Sequence, residues 1–311
     1  VHIGIDLGGT KTEVLLLDTQ GQEAFRKRLP TPQGQYAAIL QTIKQLVDDA
    51  EQHAGQPCSV GIGTPGAISP ATGLMKNSNS VVLNGKPLHT ALESLLQRPV
   101  RMENDANCLA LSEATDGAAA GAAVVFGVIL GTGTGAGIVV HGKVLTGANA
   151  IAGEWGHNPL PWPEAAELPG KACYCGKHGC IETWLSGTGF QAEYQLATGK
   201  ALAAADIVQL ATEGDVTAEQ CLQAYEERMA KSLAHVINIL DPDVIVLGGG
   251  MSNIQRLYTN VPHRWGKYVF SDQVSTRLVA PYFGDSSGVR GAAWLGANHH
   301  RLGKNDYQQR V

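Results

Sequence analysis

Residues 2–18 read HIGIDLGGTKTEVLLLD, and this stretch decides the fold. HIGIDL and TEVLLLD are apolar runs of strand length, and GGTK between them is a turn. The plan restarts at residue 124, where VVFGVIL, a GTGTG turn and GIVVHG make a second apolar hairpin. A third strand is expected near Glu23–Arg28. Helical spacing over 36–53 puts Ile39, Ile43, Leu46 and Val47 on one face. Further strands are expected at SVGIGTPG (59–66), VRMEN (100–104) and DVIVLGG (243–249). Further helices are expected over 88–97, 106–116, 217–240 and 288–300. Strands alternating with helices predict an α/β fold, here of two related lobes each opened by a glycine-turned hairpin.

Composition excludes several classes. Hydrophobic residues make up 44% and charged residues 16%, which is unlike a disordered chain. The 38 glycines follow no three-residue period, so collagen is excluded. A net charge of −5 with scattered Lys and Arg offers no basic field for nucleic acid. Residues 117–140 carry no charge, but seven of them are Gly and a Gly/Thr turn splits the run. They read as two buried strands, with no membrane partner expected. The chain opens directly on VHIGIDLGG with no cleavable signal in view. Of the six cysteines, Cys58, Cys108 and Cys221 stand alone in apolar segments, and three crowd into 173–180. That distribution predicts a cytoplasmic protein with one metal site rather than a disulfide framework. The region 147–190 is rich in Gly, Pro, Trp, Cys and His and reads as a functional insertion.

Three glycine turns suit a phosphate. Gly8 and Gly9 let the backbone come close to a ligand, Thr10 adds a hydroxyl and Lys11 a cation. Asp6 precedes them, where a carboxylate could hold Mg²⁺ through water. Gly131-Thr132-Gly133 has the same character. Gly249-Gly250-Met251 follows a strand and could admit a nucleotide edge. None of the turns matches the GxxxxGK[ST] loop. Asn104-Asp105 lies where the VRMEN strand meets a helix, so Asp105 reads as an N-cap on local grounds. Cys173-x-Cys175-x₄-Cys180 has the short spacing of a metal knuckle.

DLGGTK (6–11), ILGTGTGAG (129–137), EWGH (154–157), CYCGKHGCIE (173–182) and GDSSGVRGAA (284–293) together resemble the ROK sugar kinases. The resemblance covers nearly the whole chain. Within that family KNSNS, ENDANCLALSEA and NILDPDVIVLGGGMSN look most like bacterial fructokinases that also accept mannose. It implies the actin- and hexokinase-like (ribonuclease H-like) two-lobed ATPase fold. The small lobe would be 1–121 plus 290–311, and the large lobe 122–289 with the insertion. It implies ATP-dependent phosphorylation of a hexose at its 6-hydroxyl, with fructose first and mannose second. N-acetylglucosamine and glucose are the alternatives. Asp105 would be the general base, and Gly66, Asn79, Asn104, Glu154, His157 and Glu182 would surround the sugar. Asn77 competes with Asn79. Gly66 would leave room for the sugar. His157 would complete a Cys₃His site for structural Zn²⁺, with His178 as the rival ligand. A homodimer is expected, since the family is often dimeric. The rival class is a sugar-sensing ROK regulator, which would carry a helix-turn-helix ahead of its DxGGT turn; here five residues precede Asp6.

Overall fold

The computed structural model describes residues 1–297. The expected helix end at 298–300 and the loose tail expected from His299 to Val311 lie outside the described residues. In chain order the elements begin with β1 (His2–Leu7), β2 (Lys11–Leu17), β3 (Glu23–Pro30), α1 (Tyr36–Ala54) and β4 (Ser59–Thr64). Two short strands follow, β5 (Ala67–Ile68) and β6 (Met75–Lys76), then α2 (Leu88–Leu96), β7 (Val100–Asn104) and α3 (Asp105–Thr115). Next come β8 (Val124–Leu130), β9 (Thr134–Val140), β10 (Lys143–Val144), α4 (Glu182–Leu185), α5 (Gly187–Thr198) and α6 (Ala204–Thr212). The chain continues through α7 (Val216–Leu240), β11 (Val244–Gly248), α8 (Leu257–Trp265), β12 (Arg277–Val279) and α9 (Ser287–Ala297). They divide into two compact units. One holds Val1–Ala120, Gly142–Ala152 and the stretch from Ser286 on; the other holds Gly121–His141 and Gly153–Asp285.

The first unit is built on a sheet of order β3-β2-β1-β4-β7. β1 and β2 are the antiparallel hairpin, and β4 and β7 continue the sheet in parallel. Alternation along the strands sorts the core into two layers. Ile3, Ile5, Val14 and Leu16 pack with Ile39, Ile43, Leu46 and Val47 of α1. Leu15 and Leu17 pack instead with Val289 and Ala293 of α9. On that second face the contact is backbone to backbone. A Cβ at Gly4 would collide with the Val289 carbonyl, one at Gly61 with that of Ala292, and one at Gly291 with that of Cys108. Three glycines therefore set how deeply α9 sits.

The second unit repeats the plan. β8 and β9 form an antiparallel hairpin, and β11 and β12 add in parallel in the order β9-β8-β11-β12. Phe126, Val128 and Leu130 of β8 share a core with Leu222, Tyr225, Met229 and Leu233 of α7, whose three- and four-residue spacing makes one helical stripe. The Tyr225 hydroxyl donates to the Leu185 carbonyl at 2.8 Å, so the buried phenol is satisfied. Asp215 caps α7 by accepting from the Ala218 amide at 2.8 Å. The uncharged run at 117–140 is thus two sheet strands, and no described helix is long and apolar enough to cross a membrane.

Candidate active site

In the first unit the predicted residues gather at one end of the sheet. Register pairs Asp6 with Gly63, Gly63 with Glu103, and Thr64 with Asn104. These positions are the C-terminal ends of three parallel strands, where open α/β sheets bind ligands. The turn after β1 is held from outside. Gly8 N–H donates to the Lys11 carbonyl at 3.0 Å, and Thr31 Oγ1 donates to the Gly8 carbonyl at 2.8 Å. Gly9, Thr10 and Lys11 are exposed. A Cβ at Gly9 would enter open space, whereas one at Gly8 would lie 2.7 Å from the Lys11 oxygen. Of the two, only Gly9 has open space beside it.

The N-cap of α3 is Asn104, not Asp105. Asn104 has extended backbone and its Oδ1 accepts from Asn107 N–H at 2.7 Å. Asp105 is the first helical residue, exposed, with its Oδ1 accepting from Ala106 N–H at 2.8 Å. The local expectation fails because two capping residues stand side by side, and only the backbone angle decides between them. Asn104 keeps its amide N–H₂ for a ligand. Glu103, which sequence reasoning missed, sits beside them. It accepts from Asn107 Nδ2 at 2.9 Å and from Thr146 Oγ1 at 3.0 Å, and burial pushes its carboxyl up.

Burial, reinforced by the Asp105 and Glu13 carboxylates, pushes the Asp6 carboxyl up to about 6, against the pull of Lys11 and Arg28. The fold thus favours protonated Asp6. Stability from this group is complete below the unfolded value near 3.8 and is lost as pH rises through about 6. Asp6→Asn is expected to raise the unfolding free energy by about 2–3 kcal/mol at pH 8 and little at pH 4. Denaturant titrations at the two pH values read this directly, and an equal gain at both would refute it. A crowded carboxylate of this kind is also one that a bound cation relieves.

Gly66 carries a correction. At φ 80 it is left-handed, and a Cβ there would lie 2.5 Å from the Lys76 oxygen and 2.8 Å from Ser78 N. The space it leaves is filled by the chain's own backbone, not kept for a ligand. Ser78 is in turn clamped by Asn84, which accepts from its N–H and donates to its carbonyl, both at 2.9 Å. Asn77 and Asn79 flank it, both exposed. Asn77 has φ 57, a conformation Asn tolerates, so its identity has a backbone reason. Asn79 has no such reason.

In the second unit the other two glycine turns are neighbours. Ile129 pairs with Gly248 in parallel register, and a Cβ at Gly249 would lie 2.6 Å from the Leu130 oxygen. Gly131 and Gly250 face open space. Met251 does not: its side chain is buried in the core, so only its backbone could meet a ligand. The junction of α4 and α5 braces the Gly131 turn. Gly187 N–H donates to the Gly131 carbonyl and Thr188 Oγ1 to the Thr132 carbonyl, both at 2.7 Å. The SGTG stretch at 186–189 is a second turn signal that sequence reading passed over. Thr134 Oγ1 is buried with no hydrogen-bond partner, an unmet group beside the turn.

Glu182 is already partly engaged. Its Oε2 accepts from Thr134 N–H at 2.8 Å, and a Cβ at Gly133 would lie 2.7 Å from that oxygen. It therefore offers a ligand fewer free lone pairs than a solvated carboxylate. The Glu154 carboxylate accepts no hydrogen bond among the described residues.

His157, Cys173, Cys175 and Cys180 bring one nitrogen and three sulfurs within 4.8 Å of one another, and His178 is not among them. Cys173 Sγ lies 3.6 Å from His157 Nδ1, and Cys175 Sγ lies 3.6 Å from Cys180 Sγ. Tetrahedral Zn²⁺ with Zn–S near 2.3 Å needs sulfurs about 3.8 Å apart, so the donor set fits that metal. A disulfide would need about 2 Å, and all six cysteines are free. Cys58, Cys108 and Cys221 are buried singly. The outward nitrogen of His157, Nε2, is 2.9 Å from the Tyr174 hydroxyl.

The model of the ROK family matches residues 2–299. An N-acetyl-D-glucosamine kinase of Salmonella typhimurium is 39% identical over 95% of this chain and 99% of its own. The ROK hexokinase of Thermus thermophilus is 30% identical with a TM-score of 0.86, covering 96% of this chain and 99% of its own. A ROK family glucokinase of Streptomyces griseus, solved in complex with glucose and AMPPNP, is 26% identical with a TM-score of 0.75, covering 94% and 98%. The mixed α/β, two-sheet architecture is that of these kinases, the actin- and hexokinase-like ATPase fold.

Proposed function

The chain belongs to the ROK family, and we propose that it transfers the γ-phosphoryl group of ATP to the 6-hydroxyl of a hexose. The observation that carries this reading is the convergence of Asp6, Asn104 and Asp105 at the ends of β1 and β7. Asp105 takes the proton of the 6-hydroxyl as that oxygen forms its bond to the γ-phosphorus. The bond from that phosphorus to the ADP oxygen breaks in the same displacement. Lys11, Thr10 and the open Gly9 turn hold phosphate oxygens, and Gly131, Thr132, Gly133, Gly249 and Gly250 admit the rest of the nucleotide. Asp6 would hold Mg²⁺, which supplies charge neutralisation on the phosphates. Asn79, Asn104, Glu154, His157 and Glu182 hold the sugar hydroxyls; Gly66 acts by seating the 76–78 backbone that carries Asn79.

His157, Cys173, Cys175 and Cys180 would hold a structural Zn²⁺, which would fix the loop bearing Glu154, His157 and Glu182. Free thiols throughout suit a cytoplasmic setting, and the family resemblance supports a homodimer.

The names of the curated relatives put N-acetylglucosamine first among the sugars. The fructokinase-like KNSNS and NILDPDVIVLGGGMSN stretches make fructose, then mannose, the second reading. ADP release across N-acetylglucosamine, fructose, mannose and glucose tests both, with the phosphate located by NMR. Turnover of at least one hexose with phosphate on O6 is expected. No turnover with any of them would defeat the reading, and the preferred sugar decides between its two forms.

A further inference from the structure

We propose that Asn107 is a positioning residue, its side chain stapling β7 to the first turn of α3 so that Asp105 is aimed for proton transfer. This rests on the reading of Asp105 as the general base. Asn107 sits where the helix is otherwise apolar. Ala106, Cys108, Leu109, Ala110 and Leu111 are buried around it, and Asn107 itself is only 4% exposed. Its Oδ1 is buried with no hydrogen-bond partner. An unmet buried acceptor is destabilising, and a leucine of nearly the same shape would avoid it. A position that only needed filling has no use for an amide, so the reason for asparagine lies in its other half.

That half is the N–H₂ group. Nδ2 donates to Glu103 Oε2 at 2.9 Å. Glu103 is the fourth residue of β7 and Asn107 the third of α3, so this bond spans the corner at which strand becomes helix. The Asn107 main-chain N–H donates to Asn104 Oδ1 at 2.7 Å. One residue thus grips the corner twice, by its main chain on Asn104 and by its side chain on Glu103, and Asp105 lies between the two grips. Turning the amide over would set its oxygen against the carboxylate, so its orientation is fixed. Glu103 is held in turn by Thr146 Oγ1, which donates to Oε1 at 3.0 Å. The cap on Asn104 closes the first turn of the helix. The bond to Glu103 sets the angle at which the helix leaves the strand, and so the direction in which Asp105 points. A general base works only within hydrogen-bond reach of its proton, and a misplacement of about 1 Å can cost about a hundredfold in rate.

The test is Asn107→Leu in the whole chain, assayed on the hexose that the wild type turns over best. The main-chain bond to Asn104 is kept and the unmet Oδ1 is gone, so the melting temperature should stay near that of the wild type. kcat should fall by at least about tenfold, with the ATP KM within about twofold. In an Asp105→Asn background the same substitution should lower kcat by less than about twofold, because no base is left to misplace. Glu103→Leu cuts the same bond from the strand side and should match Asn107→Leu. Glu103→Gln keeps an oxygen for Nδ2 and should recover most of the loss. A folded Asn107→Leu with near-wild-type kcat overturns the inference while the kinase reading stands. So does an equal loss with and without Asp105, which would mark a structural role alone. If Asn107→Leu does not fold, the Glu103 pair decides, and equal activity of Glu103→Leu and Glu103→Gln overturns the inference. A wild type that phosphorylates no hexose, or a fully active Asp105→Asn, sinks the reading of Asp105 and this inference with it.

Discussion

Asp105→Asn should fold normally and lose at least about a hundredfold in kcat, the usual worth of a general base. The fold is preserved for reasons visible in the local geometry. The helix cap belongs to Asn104, whose bond to Asn107 N–H is untouched by the change. An asparagine at 105 can still accept from Ala106 N–H, as Asp105 Oδ1 does at 2.8 Å. The negative charge lost from the first turn of α3 costs about 0.3–1 kcal/mol. The cost in rate is of another order, because an amide cannot take the proton of the attacking hydroxyl. Steady-state kinetics beside a thermal melt separates the two. A variant with near-wild-type kcat would remove Asp105 from the role.

Cys180→Ser should release the zinc and cut kcat/KM for the sugar by at least about tenfold, with the helical core intact. Cys180 is buried, 3.6 Å from Cys175 Sγ, and it pairs across a bridge with Pro159. Around it Cys175, Gly176, Lys177 and His178 are exposed, so the knuckle has little apolar core of its own. Backbone bonds such as Leu160 N–H to the Gly179 carbonyl at 2.9 Å tie it to the segment after His157. Glu182 follows two residues later. A loop this small loses its shape without metal, and the residues proposed to hold the sugar lose their positions with it. The core around α7 takes in Leu160 and Ile181 from the flanks of the knuckle, but most of it comes from β8, β11 and the helices, so the circular dichroism should be kept. Metal analysis and proteolysis within 170–182 check the result. Zinc-free protein of full activity would leave the knuckle to its hydrogen bonds alone.

Periodicity carried much of the fold. The α1 stripe and the two glycine-turned hairpins are local patterns, and they appear where the residues predict. Helices α5, α6 and α8 are not legible in that way. α5 opens on glycines, α6 has nine residues, and α8 carries Pro262 inside it. Each is held by packing on α7, and α8 also by β12, rather than by its own preference. In the site, residue types pointed to a phosphate turn, a carboxylate and a metal knuckle. What they could not carry is which atoms are already spent. The Glu182 oxygen bonded to Thr134 N–H and the Gly66 gap filled by residues 76–78 are long-range facts, fixed only when distant segments meet.

The bed of Gly4, Gly61 and Gly291 has a consequence for how the chain is made. α9 lies against β1, β4 and α3, and at Gly4, Gly61 and Gly291 backbone meets backbone with no room for a side chain. The strands that need this cover are synthesised first and the helix that supplies it comes last. During synthesis, roughly the time in which the second unit's residues are added, one face of the first sheet waits without its lid. The second unit draws all its described strands from 124–279. The half begun first therefore cannot be closed until residues after the second unit's have been added.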